Sequence, residues 1–220
     1  MSDALIPKHG GYANTKTFQV SEVIYDVTAL FCNSYISRRS RTHDQMVQAA
    51  RSGRQNIAEG SVDSATSKKI EMKLTGVAKG SQEELCLDYK DYLRQRGLPE
   101  WPPDHPALMR FKALRCSSLY EFRIWVADEV RRAAGEERTR TDTDKHGLTP
   151  KEKALPTASR VSPCPSVSRP CSPSVFSTPA VNETNLPAVL AANGALSLLN
   201  LCIYLLDRQL KAQAAAFEHE

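Results

Sequence analysis

The 220-residue chain has few aromatic residues and no metal-binding cysteine pattern. Aromatics make up only 7% of it, and a low aromatic share with abundant Ala and Leu favours helices over sheets. None of its six cysteines forms a CxxC pair or lies near histidines at zinc-ligand spacing. We therefore expect an all-α protein with no metal site and no cofactor. The cysteines are Cys32, Cys86, Cys116, Cys164, Cys171 and Cys202.

Long apolar runs and targeting segments are also missing. Asn200 interrupts the most hydrophobic stretch, Leu196 to Leu206, and Asp207 ends it. The stretch is thus shorter than the roughly 18 residues that a membrane-spanning helix needs. The start, MSDALIPKHGG, has no charged segment followed by an apolar one, so nothing marks it for secretion. These absences predict a cytoplasmic protein that does not contact a membrane.

Patterns of catalytic residues are absent too. The histidines fall in separate segments, which argues against a Ser/His/Asp or Cys/His arrangement. The sequence has neither a GxxxxGK[ST] phosphate loop nor the ExxH motif of carboxylate-bridged metal bundles. We therefore expect a protein that is not an enzyme.

Apolar residues recur at steps of three and four in several segments, which is typical of amphipathic helices. A first helix is predicted over about 18–36. A second starts near Thr42, where Gln45 completes a capping box, and ends at Gly60, since Gly readily takes the left-handed conformation that closes a helix. The predicted buried stripe of the second helix is Met46, Ala49 or Ala50, Gly53 and Ile57.

A third helix is predicted from about Ser67 to Arg96, because Gly97 and the prolines after it forbid continuation. A less regular pattern from Pro106 to Ala134 predicts an accessory helix or two short ones. Four of the cysteines lie within such apolar patterns, where a free cysteine usually behaves as a small buried hydrophobe. The predicted buried stripe of the third helix is Ile70, Leu74, Val77, Ala78, Ser81, Leu85, Tyr89 and Tyr92.

The composition changes after the accessory segment. Residues 135–185 are charged and then rich in Ser and Pro, with few large apolar side chains. Such a segment cannot bury enough surface to offset its ordering entropy, so we expect a disordered linker. Periodicity returns in a last helix at 186–215, whose apolar face must pack on the earlier helices. The remaining predicted parts are a flexible tail at 1–16 and the helical region 17–134.

Several segments resemble a bacterial four-helix bundle family. RTHDQMVQAARSG at 41–53, followed by NIAEG at 56–60, is similar to its helix-two motif, and GSQEEL at 80–85 is similar to its helix-three motif. Members include proteins encoded in intervening sequences of 23S ribosomal RNA genes and accessory proteins of diversity-generating retroelements. YLLDRQL at 204–210, with RQRGLP at 94–99, resembles a subgroup with a four helix bundle suffix domain.

This resemblance covers roughly residues 17–134 and 186–212. It implies an antiparallel four-helix bundle, to which the accessory helix and the Ser/Pro-rich insert before the last helix are additions. For the retroelement accessory proteins it also implies a ring-shaped homopentamer, whose basic surface binds nucleic acid and a reverse transcriptase.

Positive charge is concentrated in two parts of the chain. Residues 37–54 hold five arginines against one acid, and residues 68–79 hold four lysines against one acid. A one-sided basic surface can neutralise phosphates, although a merely solvated charged face has the same composition. The predicted nucleic-acid-binding residues are Arg38, Arg39, Arg41, Arg51, Arg54, Lys68, Lys69 and Lys73.

Asn56 and Glu59 lie about one helical turn apart and share a face. We expect Glu59 to pair with Arg51, Arg54 or a neighbouring helix, and Asn56 to hydrogen-bond across a bundle or oligomer interface. Together with Gly60 they are predicted to be structural residues of the motif.

These patterns lead to two hypotheses of different class. The first is a homo-oligomeric, non-enzymatic scaffold that binds RNA or DNA and assists a nucleic-acid-processing protein such as a reverse transcriptase. The alternative is a protein–protein interaction module that uses the bundle surface and the Ser/Pro-rich insert.

Overall fold

Six α-helices and one 3-10 turn make up the part of the chain that the computed structural model describes, residues 11–64, 67–135 and 185–218. No strand occurs in these ranges, so the all-α prediction is confirmed. Most of the predicted tail and of the predicted disordered linker lies outside the described residues. The elements are a 3-10 turn Gly11–Asn14, α1 Lys16–Tyr35, α2 Arg41–Asp63, α3 Lys68–Gln95, α4 Pro106–Leu114, α5 Leu119–Ala133 and α6 Leu186–Glu218.

Serine side chains cap the starts of three helices. The Ser40 hydroxyl accepts a hydrogen bond from the Thr42 backbone N–H at the start of α2. Ser67 and Ser118 cap α3 and α5 in the same way, and such a cap contributes about 1 kcal/mol. The predicted capping box is therefore wrong by two residues, because Thr42 already lies inside the helix.

Two glycines of α2 allow α3 to come close. An added Cβ at Gly53 would lie 2.0 Å from Gln82 Nε2, and one at Gly60 would lie 3.3 Å from Leu74 Cβ. The prediction that Gly60 ends the helix is wrong, because α2 continues to Asp63 and Gly60 serves close packing instead. The predicted stripe is confirmed as buried: Met46, Ala49, Ala50, Gly53 and Ile57.

We expect Gly53→Ala to lower the free energy of unfolding by about 1 kcal/mol, since overpacking a helix contact outweighs the gain in helix propensity. The new Cβ would occupy the position of the Gln82 amide. Denaturant unfolding of Gly53→Ala, Gln82→Ala and the double variant would measure the coupling. Strictly additive effects would contradict this explanation, because the clash disappears when the Gln82 side chain is removed.

The buried face of α3 differs in part from the predicted stripe. Ile70 and Val77 are 44% and 45% exposed, whereas the polar residues Thr75 and Gln82 are buried. The Thr75 hydroxyl donates to the Glu71 carbonyl oxygen, so its burial leaves no unpaired donor. An apolar-only pattern misses such positions. Ala78, Leu85, Tyr89 and Tyr92 are buried as predicted.

The last helix forms the centre of the core. α6 packs on both α1 and α3, and α2 packs on both of them as well. Leu190, Leu199 and Leu206 of α6 are at most 1% exposed. The prediction that this helix packs on helices one to three is confirmed for α1 and α3, while α2 packs on those two helices instead.

α6 also has the length and composition of a membrane-spanning helix. Its most apolar 18-residue window has a mean hydropathy of 1.9, and 67% of that window is buried inside the protein. The expectation that no apolar stretch is long enough to span a membrane is therefore wrong for α6. A core helix of a soluble protein has the same properties, so the absence of membrane contact stays a prediction.

α4 and α5 pack on α6 through aromatic side chains. The Phe111 and Trp125 ring centroids are 4.5 Å apart, and those of Phe122 and Trp125 are 5.7 Å apart. Gly194 of α6 faces this cluster, and an added Cβ there would lie 2.7 Å from Trp125 Cζ3. The accessory segment thus forms two short helices, the second of the predicted alternatives.

Four cysteines are buried thiols in the described part of the chain: Cys32, Cys86, Cys116 and Cys202. Burial raises the pKa of Cys32 and of Cys202 to about 12. Both thiols therefore stay protonated and unreactive near neutral pH. The core-packing interpretation of these four residues is confirmed, while Cys164 and Cys171 lie outside the described residues.

Candidate nucleic-acid interface

The predicted basic residues occupy three positions along α2 and the start of α3. The arginine group consists of Arg38 and Arg39, in the turn before α2, and Arg41, the first residue of α2. The lysine group consists of Lys68, Lys69 and Lys73, in the first turns of α3. Since α3 begins just after α2 ends, the two groups lie at opposite ends of α2. Its 23 residues span about 34 Å at about 1.5 Å per residue. The basic residues therefore form separate groups along α2 and do not form one compact cluster.

Both groups are exposed and carry no ion pair with any described residue. Asp44, the one acid near the arginine group, lies 3.2 Å from His43 Nδ1. Some cations elsewhere are paired, since Lys79 lies 2.7 Å from Asp207 and Lys90 lies 3.4 Å from Glu100, whereas others, such as Arg123, are not. The predicted interface thus consists of cations that no acid within the described ranges neutralises directly.

Arg51 and Arg54 lie between the two groups and differ in availability. Arg51 is exposed, but Arg54 is half-buried. The Arg54 guanidinium carbon lies 4.5 Å from the centre of the Tyr25 ring of α1, within the range of a cation–π interaction. Arg54 therefore contributes to the contact between α1 and α2 and is less available to a phosphate than Arg51.

The residues of the NIAEG motif have local roles. The Asn56 amide donates to the Ser52 carbonyl oxygen at 2.8 Å, so within the described chain it bonds along its own helix. The hydrogen bond between α2 and α3 joins the Ser52 and Ser81 hydroxyls at 3.1 Å. Sequence reasoning missed Ser52. The expected hydrogen bond of Asn56 across the bundle is not formed within the described chain, whereas one across an oligomer interface stays a prediction.

Glu59 is exposed and pairs with no cation among the residues that the structure describes. The expectation that it pairs with Arg51 or Arg54 is therefore wrong. Its position on the outer face of α2 leaves its carboxylate in water.

Sequence reasoning also missed a cleft of about 820 Å³, which no residue of α2 or α3 lines. The start of α1, the segment between α3 and α4, α4 itself and the middle of α6 supply its walls. These four segments are far apart in the sequence and only the fold brings them together. Within the described ranges, no three His, Cys, Asp or Glu side chains are arranged to hold a metal ion.

No family model matches the chain, and neither a curated protein nor a solved structure matches it. The resemblance to the bacterial four-helix bundle family therefore stays a prediction that rests on the motifs quoted above.

Proposed function

We propose that α1, α2, α3 and α6 form an antiparallel four-helix bundle, with α4 and α5 as an accessory pair, and that the protein is a non-enzymatic scaffold. The contacts support this arrangement, because α1 packs on α2, α2 on α3, α3 on α6 and α6 on α1. Short connections after α1 and after α2 favour antiparallel neighbours, as in other bundles of this kind.

In this proposal the scaffold binds RNA or DNA through the arginine group, the lysine group and Arg51, with a smaller contribution from Arg54. The observation that carries the proposal is that all eight predicted residues lack an ion pair with any described acid. A cation without an acidic partner can contact a phosphate without first breaking an ion pair. Each phosphate that is neutralised releases counterions and adds to the salt dependence of binding.

The separation of the two groups sets the length of nucleic acid that both could contact. Duplex DNA rises about 34 Å in one helical turn, which is close to the length of α2 estimated above. A duplex lying along α2 could therefore meet the arginine group and the lysine group about one turn apart. A duplex much shorter than one turn is expected to contact only one group.

Titration with salt tests the proposal. We expect binding of a mixed-sequence duplex at about 50 mM salt, and a slope of log K against log salt that becomes less negative by about 2 to 3 in Arg38→Gln/Arg39→Gln/Arg41→Gln, because up to three phosphate contacts are lost. Fluorescence anisotropy would measure the affinities. The same loss is expected when the lysine group is changed to glutamine.

A matched control removes three cations that already have acidic partners: Lys90→Gln/Arg94→Gln/Arg131→Gln. Its net charge equals that of the test variant, so a general effect of charge would lower its affinity equally. Undetectable binding at about 50 mM salt, where phosphate contacts are strongest, would exclude the proposal. Equal losses in control and test variants would remove the assignment to these residues.

The cellular setting of this scaffold follows from the same proposal. It acts in the cytoplasm as a homo-oligomer and assists a nucleic-acid-processing protein, for which the resemblance suggests a reverse transcriptase and a ring of five subunits. Light scattering would give the number of subunits. The alternative, a protein-interaction module, depends in part on the insert, which lies outside the described residues.

A further inference from the structure

The cleft of about 820 Å³ lies within the size range of small-molecule sites, about 300–1,000 Å³. Apolar side chains from three helices line it, including Val20 of α1, Leu108 and Phe111 of α4, and Leu196 and Leu201 of α6. Val20, Leu108, Phe111 and Leu196 are 2–5% exposed, so the apolar surface open to solvent is mainly that of Leu201, 42% exposed, and Tyr204, 58% exposed. The walls suit the apolar body of a ligand better than a fully polar molecule.

Hydrogen bonds hold the wall that follows α3 in a fixed position. Asn193 of α6 is 1% exposed, and its side-chain oxygen accepts from the Trp101 backbone N–H at 2.8 Å. Its amide donates to the Pro99 carbonyl oxygen at 3.1 Å. The Trp101 ring stacks on His105, with centroids 4.1 Å apart. The cleft is therefore a preformed feature of the fold, as most ligand sites are.

Positive charge at this cleft exceeds negative charge. Lys16, Lys112 and Arg115 line it together with one acid, Glu100. Glu100 already lies 3.4 Å from Lys90, which lies outside the lining, whereas none of the three cations lies within 4.0 Å of a described acid. Hydrogen bonds from Ser117 lower the pKa of Glu121 and the charge of Lys16 lowers it further, so this acid lies near Lys16 without forming an ion pair. Lys112 donates to the Pro103 carbonyl oxygen at 2.6 Å, which orients its ammonium group without neutralising it.

Arg115 takes an unusual backbone conformation at this site. It closes α4 with a left-handed φ of 51°, a conformation that is sterically unfavourable for a residue with a side chain. Glycine would take this conformation without that steric penalty. An arginine thus lines the cleft at a position whose backbone conformation would suit glycine better.

We propose that this cleft binds an apolar carboxylic acid of the fatty-acid class, with the chain on the apolar walls and the carboxylate among Lys16, Lys112 and Arg115. Charge complementarity selects an anion, and the apolar lining selects a long hydrocarbon body. The site is separate from the arginine and lysine groups, so it does not depend on the proposed nucleic-acid binding.

Calorimetric titration of the full-length protein with dodecanoate, below the concentration at which it forms micelles, tests this inference. We expect saturable binding and about tenfold weaker binding in Lys16→Gln/Arg115→Gln, because two exposed charge interactions with the carboxylate are lost. Arg123→Gln/Lys211→Gln is the matched control, because both residues are exposed, lie outside the cleft lining and have equal total charge. It is expected to bind as the unmodified protein does.

Two further measurements separate charge from chain. Dodecyltrimethylammonium has the same chain with a cationic head, and we expect it to bind at least about tenfold more weakly than dodecanoate. Leu201→Glu puts a carboxylate on the exposed apolar wall. We expect it to weaken dodecanoate binding, because it repels the ligand's carboxylate and removes apolar contact with its chain.

Three outcomes would overturn the inference. The first is the absence of saturable heat up to about 1 mM dodecanoate, which would put any Kd above about 1 mM. The second is equal affinity for the cationic detergent, and the third is equal loss of affinity in the control and test variants. Vesicles of phosphatidylglycerol present the same combination of chain and anion in a bilayer. Binding to the vesicles without binding to dodecanoate would assign the surface to a membrane and exclude a free acid.

Discussion

Gly194→Ala should lower the free energy of unfolding by about 2 kcal/mol, because the new methyl group would overpack a rigid contact. The added Cβ would lie 2.7 Å from Trp125 Cζ3 and 2.9 Å from Phe122 Cε2. Both rings pack against Phe111, so neither can turn away without disturbing the packing of α4 and α5 on α6. Alanine has a helix propensity about 1 kcal/mol more favourable than that of glycine. The expected net loss of stability already includes this gain.

A matched control uses another glycine inside an α-helix, at a position where an added Cβ would contact no other atom. An added Cβ at Gly80, inside α3, would meet nothing within 4 Å. Gly80→Ala should therefore raise the free energy of unfolding by about 0.5–1 kcal/mol. Chemical denaturation followed by circular dichroism, at one fixed protein concentration, would compare the two variants. A stabilised Gly194→Ala protein would show that the aromatic cluster yields easily.

Arg110→Met should destabilise the protein by about 2 kcal/mol, because it leaves a buried carboxylate without its main partner. The Glu129 side chain is 6% exposed, and Arg110 Nε lies 2.7 Å from Glu129 Oε1. A second nitrogen of Arg110 contacts the other Glu129 oxygen, so the pair is bidentate. The expected loss is below that of a fully buried pair, since the Arg110 side chain is 43% exposed and screened by water.

Two comparisons test the origin of that loss. Arg123→Met on α5 removes an exposed arginine that pairs with no described acid and should change stability by less than about 0.5 kcal/mol. Arg110→Met/Glu129→Met removes both charges and should recover most of the loss. If the double variant is no more stable than Arg110→Met, the lost packing of the arginine stem, and not the buried charge, explains the effect.

Periodicity predicted which segments are helical, and tertiary contacts decided the details that it missed. The predicted end of α2 was wrong because the sequence does not distinguish a glycine that ends a helix from one that allows another helix to pack closely. Gly60 admits Leu74 of α3. In α3, Thr75 and Gln82 are buried, and an apolar pattern does not identify polar residues on a buried face.

The candidate sites were predictable to different degrees. The arginine and lysine groups could be found from charge alone, because their members are close in sequence. Their separation along α2 could not, since it depends on the length and direction of a folded helix. The cleft was beyond prediction, because residues as distant as Lys16 and Tyr204 line it together.

The position of α6 in the core has a consequence for folding during synthesis. α1 and α3, the two bundle helices that α6 covers, are complete at Gln95, whereas α6 ends at Glu218. Ribosomes add about 5–20 residues per second. For about 6–25 s, therefore, α1 and α3 have been synthesised but α6, the helix that buries their apolar faces, has not. We expect chaperones to protect this nascent intermediate, because the apolar faces of α1 and α3 that α6 buries in the complete fold are exposed and can aggregate.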